Sequence, residues 1–224
     1  MYGIRPNLLI GFHGCDIKVR DQLLNYPNEI VKSEKPYDWL GNGMYFWENN
    51  YDRAMEWAED KRKRGDIEHP AVIGAVISLG YCLDLLDSQF IKMLQTYYVL
   101  MDAEYKLLGR TLPQNKDIKS DEHKDKILRE LDCGVIEFMH ETIRKRIVQD
   151  EKETNGLSFY KMFDSARGVF EEGGPAFPGA GVKEKNHIQI CVRNPNCILG
   201  FFLHRNETDF LPVSRNLTDN MQSS

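Results

Sequence analysis

The chain has 224 residues, enough for one sizeable core but not two independent ones. Hydrophobic residues make up 42% and charged ones 28%, with a formal charge of −5 at pH 7, a balance that suits a soluble globular domain and argues against a broad nucleic-acid footprint. No apolar run approaches bilayer thickness and no charged-then-apolar segment opens the chain, so a cytoplasmic protein without membrane contact or Sec-type export is expected. Cys15, Cys82, Cys133, Cys191 and Cys197 are odd in number and lack a Cys-x-x-Cys pair, which favours reduced thiols over disulfides or a metal site.

In chain order, Leu8 to Gly14 reads as a strand with Leu8, Ile10 and Phe12 on one side and Gly11 and His13 on the other. Its His-Gly end offers an imidazole that can donate and accept, beside backbone that a ligand can approach closely. Residues 16–38 form a polar connection, helical around Val19 to Leu24 and interrupted by Pro27, Ser33 and Pro36. Trp39 to Trp57 is the densest stretch. Gly41 and Gly43 flank Asn42 in a tight turn, Met44-Tyr45-Phe46-Trp47 favours a short strand, and Asn49 or Asn50 caps a helix carrying Ala54, Trp57 and Ala58 on one face. Together these form a shelf for a flat ring; the plainer reading is ordinary aromatic core. The helix stops near Gly65, with Lys61-Arg62-Lys63-Arg64 as its solvated basic end.

Ala71 to Leu79 is nearly continuous in apolar residues and reads as a strand buried on both faces. Gly80 to Asp87 leads into a helix capped by Asp87 or Ser88, and Asp84 is assigned to structure. Helical spacing runs from Phe90 to Leu108, and again from Ile127 to Ile147. This helical insertion, about 88–150, serves either as a stabilising subdomain or as a surface for a target or neutralising partner. Arg167 precedes a short apolar run and either meets a pyrophosphate or pairs with Asp164 or Glu171. Gly173 to Gly181 reads as a flexible loop outside any dinucleotide-binding fingerprint. His187 to Val192 alternates, with Ile188, Ile190 and Val192 inward and His187, Gln189 and Cys191 on the other side. Cys197 to Leu203 completes the sheet, and 206–224 is a polar tail expected to fray.

His13-Gly14 followed by Gly41-x-Gly43-x-Tyr45-Phe46 and a helix resembles the catalytic domain of the ADP-ribosyltransferases. More narrowly it resembles the diphtheria-toxin and poly(ADP-ribose) polymerase branch, whose signature residues are histidine, tyrosine and glutamate. The resemblance covers most of the chain outside the helical insertion. It implies an α+β fold, an ADP-ribosyltransferase-like split β-sheet sandwich of two packed, mainly antiparallel sheets, with one domain over 1–205. It implies NAD+ as substrate, His13 on the adenosine ribose, Gly14 pairing its backbone with the nicotinamide carboxamide, and Tyr45 stacking on the nicotinamide ring. Trp57, one residue beyond the family's spacing, is nominated as the second aromatic, and Arg167 and His187 as further cofactor contacts.

Where the branch carries glutamate, this sequence places Gln189 or Ile188, and Gln189, on the polar side, is taken as the third catalytic residue. Breaking the nicotinamide–ribose bond builds positive charge on the ribose. Glutamine can accept a hydrogen bond there but brings no charge and cannot act as a general base. Glu171, Glu172 and Glu184 are the loop carboxylates that would replace it. The resemblance therefore implies mono-ADP-ribosyl transfer to a protein or nucleic-acid acceptor without chain elongation, as in a bacterial toxin, toxin–antitoxin member or phage-defence effector. The alternatives are an NAD+ glycohydrolase and a catalytically silent NAD+ or ADP-ribose reader.

Overall fold

Strand β1 (Leu9–Asp16) pairs along its full length with β3 (Pro70–Ile77), but its register with β2 (Met44–Glu48) holds only at Gly11–Glu48 and Phe12–Trp47. That uneven pairing organises the molecule. The computed structural model describes residues 8–118 and 122–205; the predicted polar tail, 206–224, lies outside the described residues. The other strands of the sheet are β4 (Cys82–Asp84), β7 (Ser165–Phe170), β8 (His187–Val192) and β9 (Ile198–Phe202), while β5 (Asn115–Lys116) and β6 (Leu128–Arg129) form a separate ribbon. The sheet order is β4-β7-β8-β2-β1-β3-β9, antiparallel throughout except for the β4–β7 pair.

The fold is thus α+β with one large mixed sheet, where the resemblance implies two packed sheets. Asn49 N–H still reaches the Ile10 carbonyl at 2.9 Å, so β2 keeps a short ladder to β1 and the halves remain one sheet. Beyond Phe12–Trp47 the strands part. The four strands β4-β7-β8-β2 and the three strands β1-β3-β9 meet only at this seam.

Alternation along the strands makes two faces. One buries Cys15, Phe46, Ile73, Ala75, Ile77, Ile190 and Val192 against Leu23 of α1 (Ile17–Asn25). The other carries Phe12, Trp47 and Val72 under Ala54 of α2 (Tyr51–Lys63), and Ala166, Phe170 and Cys191 under Ile136, Met139 and Ile143 of α4 (Glu130–Glu153). The strand read as doubly buried, β3, has its side chains covered on both faces, as its apolar run requires. Side-chain caps start three helices: Asp16 accepts from Lys18 N–H, Asn50 from Arg53 N–H, and Asp87, before α3 (Ser88–Leu107), from Gln89 N–H.

Helix α4 begins at Glu130, later than its apolar spacing suggests, because Leu128 and Arg129 pair with Lys116 and Asn115 instead. No two of the five cysteines are bridged. Among the described residues, no helix is long and apolar enough to cross a membrane, and no three histidine, cysteine or acidic side chains group as metal ligands.

Candidate functional site: a parted seam beside a locked turn

At the seam a side chain replaces a rung of the ladder. In an antiparallel pair, alternate residues exchange both backbone bonds, and the rung after Phe12–Trp47 would join Gly14 to Tyr45. Instead His13 Nδ1–H donates to the Tyr45 carbonyl at 2.7 Å. The same alternation turns the Gly14 peptide toward the gap. A carbonyl only accepts, so the proton of the neutral ring sits on Nδ1 and Nε2 is a bare acceptor. Burial lowers the His13 pKa to about 4, so the ring is neutral at pH 7.

Gly14 is required by packing. A Cβ there would stand 2.1 Å from the Ala54 carbonyl oxygen, so only glycine lets α2 lie this close to β1. Ala58 continues the same stripe, and Lys61 follows one turn on. Lys61 departs from the expected solvated end: it is half-buried beside Trp57, its ammonium 5.7 Å from that ring, and burial lowers its pKa. Arg62 and Lys63 behave as expected, in pairs with Glu59 and Asp60, while Arg64 pairs with Asp66 and also lies over Trp57, 5.1 Å from the ring centroid.

Tyr45 is locked from the other side. Its hydroxyl donates to the Gly41 carbonyl at 2.8 Å and accepts from Leu40 N–H at 3.0 Å, closing the turn that precedes β2. Gly41 has φ +81°, and Glu137 of α4 clamps this turn by accepting from Asn42 N–H at 2.8 Å while pairing with Arg193. Burial pushes the phenol well above its usual pKa. His13 and Tyr45 therefore meet through a backbone carbonyl, with their rings on opposite faces: His13 sits against Phe46, centroids 5.8 Å apart, while Tyr45 packs with Trp39 and Cys191.

The structure does not bring the remaining predicted residues to His13. Gln189 lies on the Tyr45 side, where its Oε1 accepts from Trp39 Nε1–H at 2.7 Å. Its amide donates to His187 Nε2 at 3.0 Å, and His187 Nδ1–H donates to the Lys185 carbonyl at 2.7 Å. Every polar atom of this chain has a role in it, and the group is neutral at pH 7, burial having lowered His187 to about 4. Arg167 sits three strands from β1 and binds neither Asp164 nor Glu171. It makes a bidentate pair with Glu48 at 2.6 and 2.9 Å, and Asp84 stands 3.4 Å away. Its side chain is 7% exposed and its fork is filled by Glu48.

Trp57 lies over the α2 face of the seam, its ring 6.0 Å from Trp47, which is in turn 6.1 Å from His187. Of the loop carboxylates, Glu184 is exposed and Glu171 lines a cleft of about 270 Å³ with Arg129 and Lys183. Glu172 instead folds onto α2 and pairs with Arg53 at 2.7 Å. The loop read as flexible is pinned at its start, where Gly173 N–H donates to Asp125 at 2.8 Å and Lys185 N–H to the Glu172 carbonyl at 3.0 Å. Thiolate chemistry is disfavoured at the two nearest cysteines, since burial raises Cys15 to about 11 and Cys191 to about 12.

The chain is similar to an archaeal protein, Uncharacterized protein MJ0359 of Methanocaldococcus jannaschii. The two are 25% identical over 203 residues, covering 84% of this chain and 83% of that one. No family model and no solved structure matches the chain.

Three participants escaped the sequence reading. Trp39 holds Gln189, Arg53 holds Glu172, and Glu48 holds Arg167. Glu48 carried a signal, since a lone acid ending an aromatic strand needs a buried partner. Trp39 and Arg53 carried none, because their partners lie 150 and 119 positions away.

Proposed function

We propose that the gap between β1 and β2 takes the nicotinamide riboside end of NAD+, and that the protein transfers ADP-ribose from it to a protein or nucleic-acid acceptor. The observation that carries this reading is the His13 bond to the Tyr45 carbonyl. It leaves a glycine peptide facing the gap, able to pair with a carboxamide through one donor and one acceptor. It also leaves a neutral imidazole nitrogen suited to accept from a ribose hydroxyl. Trp57, over the same gap, supplies an aromatic face for the nicotinamide. The role as a toxin or defence effector rests on the resemblance alone.

Incubation with labelled NAD+ and cell lysate tests the reading. Transfer predicts label on a macromolecule together with released nicotinamide. Free nicotinamide without labelled product would replace transfer by hydrolysis.

A second reading, a nucleotide-binding module without turnover, is favoured by the chain from Trp39 through Gln189 to His187, which puts no negative charge where the branch carries glutamate. It predicts NAD+ or ADP-ribose binding with neither label transfer nor nicotinamide release.

A further inference from the structure

Two buried donors beside the seam have no acceptor among the described residues: the Trp47 indole Nε1–H and the Arg53 Nε–H. Trp47 is 4% and Arg53 9% exposed. Leaving such donors unpaired is costly, so they mark a place where an acceptor atom belongs. The two are neighbours in the fold. Trp47 is the last β2 residue paired with β1, and it contacts Trp57, one turn along α2 from Arg53. Ala54, next to Arg53, is the residue whose carbonyl covers Gly14.

Arg53 also brings a carboxylate to this spot. Its two terminal nitrogens hold Glu56, which is exposed, and Glu172, which is half-buried. Glu172 is positioned from the opposite side as well, because its carbonyl is tied to Lys185, the residue whose own carbonyl orients His187.

We propose that Glu172, carried in by the loop after β7 and held by Arg53, is the carboxylate that acts on the ribose, while the free Trp47 and Arg53 donors bind substrate oxygens. This rests on the NAD+ reading above. In the step, the bond between ribose C1 and the nicotinamide nitrogen breaks, and its electron pair leaves with neutral nicotinamide. The carboxylate faces the positive charge left on the ribose. A hydroxyl or amine of the acceptor then bonds to C1, and its proton passes to Glu172 and on to water. Gln189 takes no part, because both ends of its amide are engaged. Burial raises the Glu172 pKa against the opposing pull of Arg53, which brings the carboxylate nearer to the range useful for a base.

The test compares the parent with Glu172→Gln, Glu172→Asp and Glu171→Gln, measuring nicotinamide release across pH and NAD+ affinity by calorimetry. Glutamine keeps the hydrogen bond to Arg53, so the Glu172→Gln variant retains the local packing. The expected result is a loss in kcat of about 100-fold or more for Glu172→Gln, with NAD+ affinity within a few-fold of the parent and the acidic limb of the pH profile removed. Glu172→Asp recovers part of the rate and Glu171→Gln keeps it. Parental kcat in Glu172→Gln overturns the assignment. A parent that binds NAD+ but releases no nicotinamide removes Glu172 as a catalytic carboxylate while leaving nucleotide binding intact, and a parent that does not bind NAD+ removes both.

Discussion

One imidazole determines what the seam exposes. Because His13 satisfies the Tyr45 carbonyl, the strands can part there without leaving that acceptor unpaired. His13→Ala is expected to remove the acceptor offered to a ribose hydroxyl and to weaken NAD+ binding by about tenfold, the worth of one ordinary hydrogen bond. Calorimetry on the folded variant checks this, and unchanged affinity would remove His13 from the site. Tyr45→Phe tests a different property. It deletes the hydroxyl that bonds Gly41 and Leu40, so thermal stability is expected to fall by about 1–3 kcal/mol while the ring remains. The histidine and tyrosine were both legible as motif residues. That their rings lie on opposite faces depends on the β1–β2 register, and this, like the carbonyl contact between them, was set only in the folded sheet.

Helix α2 reaches the sheet at the level of whole elements through Gly14, Ala54 and Ala58. Gly14→Ala must push α2 off β1, and a loss of about 1–3 kcal/mol in denaturant stability is expected, with nucleotide binding reduced alongside. The Arg167 cluster joins β7, β2 and β4 across β8 in the same way. Arg167→Met leaves the half-buried Glu48 and the buried Asp84 without their shared cation and is expected to cost about 3–5 kcal/mol, read as a lower urea midpoint. A pyrophosphate-binding role would instead show as lost affinity at full stability. Strands β1 and β2 and helix α2 were readable from periodicity, which is local, whereas β4 and β7 were not. Partner choice was not, since Arg167 meets Glu48 across 119 positions of sequence.

Stability of the whole molecule should depend on pH through its buried imidazoles. Burial disfavours the charged forms of His13, His140 and His187 and lowers each to about 4 in the folded protein, and His140 has neither ring nitrogen bonded among the described residues. Unfolded imidazoles titrate near 6.5, so between these values the unfolded chain binds more protons. Their stabilising contribution is therefore complete above about pH 6.5 and is lost as pH falls toward 4, at up to roughly 1.4 kcal/mol per pH unit for each ring. Melting curves from pH 7 to 4.5 check the direction, and His140→Leu should flatten the slope.

By itself the sequence determined the four helices, five of the seven strands of the large sheet, the reduced cysteines and the turn before Tyr45, because each follows from spacing or from the conformational limits of neighbouring residues. Only the tertiary structure decided that β1 and β2 join one sheet by a short seam, that Gln189 is spent on Trp39 and His187, and that Glu172 reaches Arg53. Those outcomes depend on strand order and on which distant side chains can satisfy one another once water is excluded, and neither is encoded in any local stretch of the chain.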